Sequence, residues 1–422
     1  MPLIFDFAYL MLALVTAPWW LRKKRAGWSE RFGKIASLPQ PPAGRKRLLI
    51  HAVSVGEVNA VRALIPRLAR DLDVVLAATT DTGLKRAQEL FGSTPAGESG
   101  GGAEHAPVIH VVRYPLDASW AVRRFLDAVS PDCAALVELE VWPNFIAECQ
   151  RRGIPVAVIN GRLSARSFRN YRRGRWLMGR FFRKLAFVAA QDEACAERFR
   201  AMGVSPDRCI AAGNMKWDSA GTPPAPEQVE ALAKQLGIDR SRPLIVAGST
   251  APGEHELLHE AAPRGAQLLC APRKPEWFDQ AAQALPGCIR RSRNGSSGGG
   301  DRFLLDSIGE LRQAYALADI VVIGRSFGDL FGSDPMEPAA LGKPMLIGPA
   351  HADFRQAVDA LRDAGALLVV DREQLASTLA DLLADGPRRA MMGQRALACV
   401  AANRGATDRN ARMLLDLVLA RS

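Results

Sequence analysis

Residues 48–61, LLIHAVSVGEVNAV, change from one hydrophobic pattern to another. The first part is a continuous apolar run, which is typical of a strand buried on both faces, and apolar residues recur at helical spacing after Gly56. A strand that leads directly into a helix is the repeating unit of a parallel sheet covered by helices. Glu57 lies at the joint. An acid there complements the helix dipole, but the same position would also lower the pKa of a catalytic base, so both interpretations stay open.

Similar apolar runs alternate with helical patterns along most of the chain. In the first half they are LLIHAVSV, DVVLAATT, APVIHVV, CAALVEL, IPVAVIN and AFVAAQ. In the second half they are LIVAGST, AQLLCAPR, DRFLLDS, DIVVIGRS, KPMLIG and ALLVV. A segment rich in Pro and Gly, GNMKWDSAGTPPAPEQ, separates the two series, and GESGGGAEH and NGSSGGGD are typical of flexible surface insertions.

The pattern predicts an α/β protein with two doubly wound, Rossmann-like domains that face each other across a cleft. We expect a first domain at residues 26–213, a linker at 214–226 and a second domain at 227–422. Both halves open alike, with a strand, a small-residue turn and Gly-Glu leading a helix (SVGE and APGE). Ligands in such sheets bind at the carboxyl ends of the strands. Glu57 follows one such end, and residues 248–250, 272–274 and 324–326 follow others.

Composition and motifs exclude several classes of protein. The 422 residues are 48% hydrophobic and 23% charged, which describes a globular chain. The seven cysteines form no CxxC pair and their number is odd, so we expect reduced thiols. No glycine fingerprint or P-loop stands in the right context, which argues against dehydrogenases and ATP sites. The histidines lack metal-ligand spacing, and no recognised nucleic-acid module is present.

The net charge of +11 is concentrated in two basic segments. The first follows the apolar residues 3–21, LIFDFAYLMLALVTAPWWL, which as a helix would be about 28 Å long, and we predict a membrane anchor at residues 1–25. The basic flank indicates that this end faces the cytoplasm. Asp6 and Pro18 leave an interfacial helix as the alternative to a spanning one. The second segment, residues 164–184, has eight Lys or Arg and no acid, and fits either an anionic membrane surface or an ordinary solvated helix.

Two stretches of the second half are typical of phosphate and ribose binding. Arg273 and Lys274 follow a strand and precede Pro275-Glu276, where a helix N-terminus with adjacent cations would bind an anion. In residues 334–337, Asp-Pro-Met-Glu, the pattern fits a capping box with proline at the first helical position. Equally, Glu337 could accept hydrogen bonds from ribose hydroxyls.

The motifs together resemble one family. HAVSVGE, ELEVWPN, NGRLSARS, GNMKWD, VAGSTAPGE, PRKPEWF, DSIGEL and DPMEPAALGKP occur in the order typical of the 3-deoxy-D-manno-octulosonic acid (Kdo) transferases of Gram-negative bacteria. The resemblance covers nearly the whole chain. It implies a GT-B glycosyltransferase that moves Kdo from CMP-Kdo to a lipid A precursor with inversion and without a required metal or other cofactor. It also implies a place at the cytoplasmic face of the inner membrane, in lipopolysaccharide biosynthesis.

The resemblance implies roles for individual residues. Glu57 corresponds to the general base that acts on the acceptor hydroxyl, and Glu138 and Lys216 match positions that stabilise the transition state. The CMP-contacting stretches of the family fall on Pro272, Arg273, Ile308, Gly309, Glu310, Asp334, Pro335, Met336 and Glu337.

Several donor-side positions depart from the family pattern. Lys274 stands where the family has histidine, Asp334 where it has asparagine, and Gly324-Arg325-Ser326 replaces GGS, so Lys274, Arg325 and Ser326 are further donor-side candidates. Two alternatives follow from these departures. One is a GT-B enzyme with another nucleotide-sugar donor, and the other is a membrane-tethered CMP-binding homologue that has lost catalysis.

Overall fold

The computed structural model describes residues 27–92, 109–220, 223–293 and 300–420, together with residues 6, 7, 9 and 11. The chain divides into two compact units. Unit 1 comprises Met1–Ser219 and Arg404–Ser422, and unit 2 comprises Ala220–Asn403. In the described residues each unit is built on one seven-stranded sheet in which every strand pair is parallel. The prediction of two doubly wound α/β domains is confirmed.

The sheet of unit 1 has the order β3-β2-β1-β4-β5-β6-β7. Its strands are β1 (Arg47–Ala52), β2 (Asp73–Ala78), β3 (Ile109–Arg113), β4 (Cys133–Val137), β5 (Val156–Gly161), β6 (Val188–Ala190) and β7 (Cys209–Ala211). The central strands β1, β2, β4 and β5 are buried at every position, which explains their continuous apolar runs. The strand order reverses direction between β1 and β4, and this is where doubly wound sheets bind their ligands.

The sheet of unit 2 has the order β10-β11-β9-β8-β12-β13-β14. Its strands are β8 (Leu244–Thr250), β9 (Gln267–Pro272), β10 (Ile289–Arg290), β11 (Arg302–Leu304), β12 (Ile320–Ile323), β13 (Met345–Ile347) and β14 (Leu367–Val369). The equivalent switch point lies between β8 and β12. A buried cluster that includes Ile245, Leu268, Val322 and Leu346 forms the core beneath the helices on one face of this sheet.

The helices of unit 1 begin where the sequence provides a start signal. For example, Thr80 Oγ1 accepts a hydrogen bond from Gly83 N at 3.0 Å, and Asp192 caps the helix that follows it. They are α1 (Trp28–Arg31), α2 (Val55–Ala60), α3 (Leu64–Leu68), α4 (Asp81–Phe91), α5 (Ser119–Val129), α6 (Pro143–Arg151), α7 (Ala165–Arg173), α8 (Arg175–Phe182), α9 (Glu193–Met202), α10 (Lys216–Ser219) and α19 (Ala406–Leu419).

The helices of unit 2 include one with a complete capping box, formed by Asp371 and Gln374. They are α11 (Pro226–Leu236), α12 (Glu254–Ala261), α13 (Phe278–Ala284), α14 (Leu311–Leu317), α15 (Met336–Ala340), α16 (Arg355–Asp363), α17 (Arg372–Ala384) and α18 (Gly386–Asn403). Single 3₁₀ turns cover Pro206–Arg208 in unit 1, and Pro275–Trp277 and Ala352–Phe354 in unit 2.

The last helix, α19, belongs to unit 1, whereas the predicted second domain at residues 227–422 includes it. Ala406, Ala411, Leu414 and Val418 are buried in the same cluster as residues of β1, α2 and α3. Burial of this apolar face against the first sheet decides the assignment, and that boundary was wrong. The predicted linker at 214–226 also contains α10, whose Trp217 is buried.

Two described residues of the N-terminal segment, Asp6 and Tyr9, contact the rest of unit 1. Asp6 Oδ1 accepts hydrogen bonds from Ser119 N at 2.8 Å and from Asn144 Nδ2 at 3.0 Å. The hydroxyl of Tyr9 donates to Asp117 Oδ2 at 3.1 Å. Most of the predicted anchor and nearly all of the two glycine-rich insertions lie outside the described residues. Among the helices that are described, none has the length and apolar character needed to cross a membrane.

Candidate active site

Glu57 lies in the first turn of α2, five residues beyond the carboxyl end of β1. Its Oε2 accepts a hydrogen bond from Val53 N at 2.7 Å, and its Oε1 accepts one from the Ser54 hydroxyl at 3.0 Å. Burial, together with the negative charges of Glu138 and Glu140, raises the pKa of Glu57 to about 7 against the opposing effect of these hydrogen bonds. The expectation of a lowered pKa was wrong, because burial and the neighbouring carboxylates outweigh the helix N-terminus.

Glu138 directly follows β4 and forms an ion pair with Lys216. The distance from Lys216 Nζ to Glu138 Oε1 is 3.1 Å, and both side chains are mostly buried. Glu138 has φ 62°, in the left-handed region that non-glycine residues rarely occupy. Such strain persists where the surroundings hold the backbone, and it clusters at functional sites. Hydrogen bonds from Glu138 N to Ile159 O and from Arg162 N to Glu138 O hold it here.

Asn160, near the carboxyl end of β5, holds the loop that carries Lys216. Its Oδ1 accepts a hydrogen bond from Met215 N at 2.9 Å, and its own φ is 49°. Asn214 Oδ1 in turn accepts one from Lys216 N at 3.0 Å. Asn160 begins the motif NGRLSARS and Asn214 lies in GNMKWD, but neither amide was predicted as a site residue. An asparagine at a predicted strand end is the signal that could have identified Asn160.

Glu140 is a third carboxylate of this region that the sequence analysis missed. Burial raises its pKa, and the charge of Glu138 adds to the effect. Trp142 Nε1 donates a hydrogen bond to Glu140 Oε2 at 2.7 Å. Unit 1 therefore brings Glu57, Glu138, Glu140 and Lys216 together near the switch point of its sheet. A carboxylate with a pKa of about 7 can act as a general base near neutral pH, and the lysine can offset developing negative charge.

His51 does not compete with Glu57 for the role of base. Its ring is fully buried, stacks on Tyr114 with centroids 3.5 Å apart, and lies within hydrogen-bond distance of Thr79 Oγ1 at 2.9 Å. Burial lowers the pKa of His51 to about 3, so the imidazole is neutral and structural.

Arg273 and Lys274, which follow β9 in unit 2, have different surroundings. Both side chains are exposed. Lys274 Nζ forms an ion pair with Glu276 at 3.1 Å and lies 4.9 Å from the Trp277 ring centroid. The Arg273 guanidinium has no hydrogen bond or ion pair within the described part of the chain. A helix starts at Pro275 as expected, but its first turn, Pro275–Trp277, is a 3₁₀ turn and α13 begins at Phe278.

The other predicted donor-side residues lie on neighbouring loops of unit 2. Ile308 is 72% exposed, and Gly309 has φ 97°. Arg291 binds Glu310 Oε1 through two nitrogens, at 2.9 and 3.2 Å. Glu310 is thus oriented by an arginine that the sequence analysis did not consider.

Residues 334–337 do not form a capping box, which was one of the two alternatives for this stretch. Asp334 Oδ1 accepts a hydrogen bond from Met336 N at 2.8 Å, two residues on, and α15 has no side-chain cap. Glu337 has no side-chain hydrogen bond in the described residues. Burial raises the pKa of Tyr315, the negative charges of Glu337 and Asp334 raise it further, and the positive charge of Arg273 opposes them. The charges of these three predicted residues therefore all act on one buried tyrosine of unit 2.

Arg325 and Ser326 follow β12, at the switch point of the second sheet. Arg325 has φ 60°, and Ser249, after the neighbouring β8, has φ 57°. Ser326 is fully buried and its hydroxyl accepts a hydrogen bond from Gly348 N at 2.8 Å. Pro272, the last residue of β9, is also buried. In the described residues no group of three or more His, Cys, Asp or Glu side chains is arranged to hold a metal ion.

Comparisons with known proteins agree with the motifs. A family model described as 3-deoxy-D-manno-octulosonic-acid transferase (kdotransferase) matches residues 26–219. The 3-deoxy-D-manno-octulosonic acid transferase of Bordetella pertussis is 34% identical over 425 residues, covering 94% of both chains. The enzyme of the same name from Haemophilus influenzae is 30% identical over 92% of this chain and 90% of its own.

Solved structures show the fold. Anabaena HepE in complex with UDP matches with a TM-score of 0.58 and 15% identity, over 88% of this chain and 99% of its own. A putative UDP-N-acetylglucosamine 2-epimerase from Listeria monocytogenes also matches with a TM-score of 0.58, at 14% identity, over 90% of this chain and 97% of its own. These likenesses fit the GT-B class of two doubly wound domains. The two relatives above, at 34% and 30% identity over nearly the full length, establish that the chain belongs to the 3-deoxy-D-manno-octulosonic acid (Kdo) transferase family.

Proposed function

We propose that this chain is an inverting glycosyltransferase that moves Kdo from CMP-Kdo to a hydroxyl of a lipid A precursor, lipid IVA. The observation that carries the proposal is Glu57, a largely buried carboxylate with a pKa of about 7 beside the Glu138–Lys216 ion pair. Family membership at 34% identity over nearly the full length supports the choice of donor and sugar.

Glu57 would act as the general base of a single displacement. It takes the proton of the acceptor hydroxyl as the hydroxyl oxygen bonds to the anomeric carbon of Kdo. The bond between that carbon and the phosphate oxygen breaks, and CMP leaves with the bonding electrons. Attack from the face opposite the phosphate inverts the anomeric centre. The Ser54 and Val53 hydrogen bonds hold the carboxylate in place for this transfer.

Cations of the chain would offset the negative charge that grows on the leaving phosphate. Lys216 and Arg273 are candidates for this role, because Lys216 is held by Glu138 and Arg273 has no partner in the described residues. A positive charge in a largely desolvated site stabilises such a transition state strongly. On this proposal the reaction requires no metal ion.

We infer that the enzyme works at the cytoplasmic face of the inner membrane, because its acceptor carries acyl chains that remain in the bilayer. The exposed arginines of α7 and α8 support contact with an anionic surface. Trp176, which is 82% exposed, supports insertion at the headgroup level.

The test is incubation with CMP-Kdo and a tetraacylated lipid A precursor, followed by mass spectrometry of the lipid product. We expect a mass increase of one or more Kdo residues with wild type and at least about 10²-fold slower formation with Glu57→Gln. A parallel panel of UDP- and GDP-sugars separates the alternative donor, which would give product only with another nucleotide. CMP binding without any product would contradict the proposal and support the catalytically impaired homologue.

A further inference from the structure

Glu254 is a buried carboxylate of unit 2 that accepts four backbone hydrogen bonds. It is the first residue of α12 and is 3% exposed. Its Oε1 accepts from Ser326 N at 2.8 Å and from Phe327 N at 3.0 Å. Its Oε2 accepts from Arg325 N at 2.7 Å and from Ala251 N at 2.9 Å. Three consecutive N–H groups of the loop after β12 therefore point at one side chain.

This carboxylate holds a loop that is strained at Arg325. A φ of 60° is unfavourable for arginine, so the surrounding contacts must maintain it. The Glu254 hydrogen bonds begin at this residue. The loop is tied again at Ser326, whose carbonyl accepts from Ala350 N at 3.0 Å, and at Gly332 N, which donates to Arg325 O at 2.8 Å. Glu254 supplies the negative charge among these contacts, and Arg372 Nη1 donates to Phe327 O at 2.8 Å.

A comparison with Glu57 indicates what Glu254 does. The two residues occupy the same place in the repeated turn that opens each unit, Gly-Glu at the start of a helix. Glu57 accepts two hydrogen bonds and stays partly exposed, so it can reach a substrate. Glu254 is buried with both oxygens occupied by two donors each. It is therefore unable to take a proton from a substrate, and its effect must pass through the loop that it binds.

We propose that Glu254 is a positioning residue for the donor nucleotide, which it serves by holding residues 325–327 so that the Arg325 guanidinium is directed at the donor phosphate. The proposal rests on the proposed function, because it requires a nucleotide donor at the strand ends of unit 2. The Arg325 side chain is partly exposed and has no hydrogen bond or ion pair in the described residues. A guanidinium on a fixed backbone loses less freedom on binding a phosphate than one on a mobile loop.

The test measures CMP affinity by calorimetry for Glu254→Gln, Arg325→Ala and the double variant. Glutamine has nearly the shape of glutamate, but its NH₂ group would face two backbone N–H donors and could not accept their hydrogen bonds. Residues 325–327 would therefore be held less firmly. We expect Glu254→Gln to weaken CMP binding by about tenfold, like Arg325→Ala. The double variant should bind CMP no more weakly than Arg325→Ala alone, because the two residues act through one contact. Glu256→Gln, an exposed acid on the same helix, is the matched control and should bind like wild type.

The same variants separate the possible failures. CMP affinity within about twofold of wild type in Glu254→Gln, or effects that simply multiply in the double variant, would overturn the role of Glu254. If Glu254→Gln does not fold, Glu254→Asp keeps the charge but is one methylene short of the loop. That variant should weaken CMP binding and raise the KM for CMP-Kdo, while the KM for the acceptor stays unchanged. An equal rise in both KM values would contradict positioning. Wild type that binds no CMP would count against the proposed function itself and, with it, against this inference.

Discussion

Glu57 is ionised at a cost to the stability of the fold. Its pKa is about 7 in the folded chain, above the ordinary value of 4.5. Between these values the folded state binds more protons than the unfolded state. The contribution of the protonated side chain to the stability of the folded state is therefore fully present below pH 4.5. This stability is lost as the pH rises through about 7.

The first prediction concerns this cost. Glu57→Gln should raise the free energy of unfolding at pH 8 by about 1–3 kcal/mol, since one pKa unit corresponds to about 1.4 kcal/mol. The gain should shrink toward zero at pH 4.5, where the glutamate is also neutral. Urea unfolding at the two pH values measures it. Glu227→Gln, an exposed acid in the first turn of α11, is the control and should show no such difference. A gain independent of pH would contradict the raised pKa.

The second prediction separates two adjacent cations. Arg273→Ala should weaken CMP binding by about tenfold, because an exposed guanidinium without a partner is available for a phosphate. Lys274→Ala should weaken it much less, because Lys274 is paired with Glu276 and lies against Trp277. Calorimetry with CMP measures both. Equal losses would contradict this distinction, and an unchanged affinity in Arg273→Ala would move the phosphate site to another cation, with Arg325 first.

Local sequence was sufficient to predict where Glu57 lies but not how it titrates. The change from strand to helix placed it at the end of β1, as the structure has it. Its raised pKa depends on burial that only the folded chain produces, and on Glu138 and Glu140, which follow β4 about 80 residues away. The roles of Asn160, Arg291 and Glu254 were missed for the same reason, because each acts on a loop far from it in sequence.

Secondary-structure elements were predictable in proportion to their apolar length. The long runs correspond to β1–β6, β8, β9 and β11–β14. The edge strands β7 and β10 were missed because β10 has only two residues and β7 is exposed at two of its three positions. The helix start at Pro275 was predicted but its 3₁₀ type was not, because a proline in the first turn fits either helix type and the choice depends on packing beyond the turn.

The basic segment at residues 164–184 is divided between the core and the surface. Phe181 and Phe182 are buried, as in an ordinary amphipathic helix. Arg172, Arg173 and Arg175 are exposed beside Trp176. Arg180 is less exposed and its guanidinium lies 4.9 Å from the Phe181 ring centroid. The apolar residues therefore face the core, as in an ordinary solvated helix. The exposed arginines remain available for an anionic surface.

The third prediction tests this surface. Changing Arg172, Arg173 and Arg175 to Glu should reduce binding to anionic vesicles by at least tenfold, since each cation near such a membrane contributes about 1 kcal/mol. Co-sedimentation at low and high salt measures it, and the difference should narrow at high salt. Arg264, Arg388 and Arg412, also exposed, changed to Glu together form a control of equal charge. Equal pelleting of both triple variants would show that net charge, and no particular patch, determines binding.

At the scale of the whole molecule, the chain enters unit 2 after Ser219 and returns to unit 1 at Arg404. The sequence could predict two domains from two series of strands. It could not assign the last helix, because an amphipathic pattern shows that a helix covers a sheet but not which sheet. Asp218 marks the return, since its carboxylate accepts hydrogen bonds from Gly405 N at 2.7 Å and from Thr407 N at 2.6 Å.

The fourth prediction is that residues 220–403 fold without unit 1. Their sheet and core cluster are internal to unit 2, so the separated unit retains its buried apolar surface. Circular dichroism should show one cooperative thermal transition, and calorimetry should give a CMP affinity close to that of the full chain. A shorter piece that ends at residue 384 lacks α18 and serves as the control that should not fold. CMP binding that requires residues 1–219 would contradict an independent nucleotide-binding unit.

The contact of Asp218 with Gly405 and Thr407 also bears on how such a chain could be rearranged. The chain leaves unit 1 near Asp218 and returns near Gly405, and two hydrogen bonds join these two points. Unit 2 is therefore inserted into unit 1 through neighbouring junctions. On the proposed function, an exchange of genetic material that replaces only the codons between those junctions would introduce another donor-binding unit and leave the sheet of unit 1 intact. Donor specificity and acceptor specificity would then evolve separately. Protein engineers could use the same two cut points to build chimaeras.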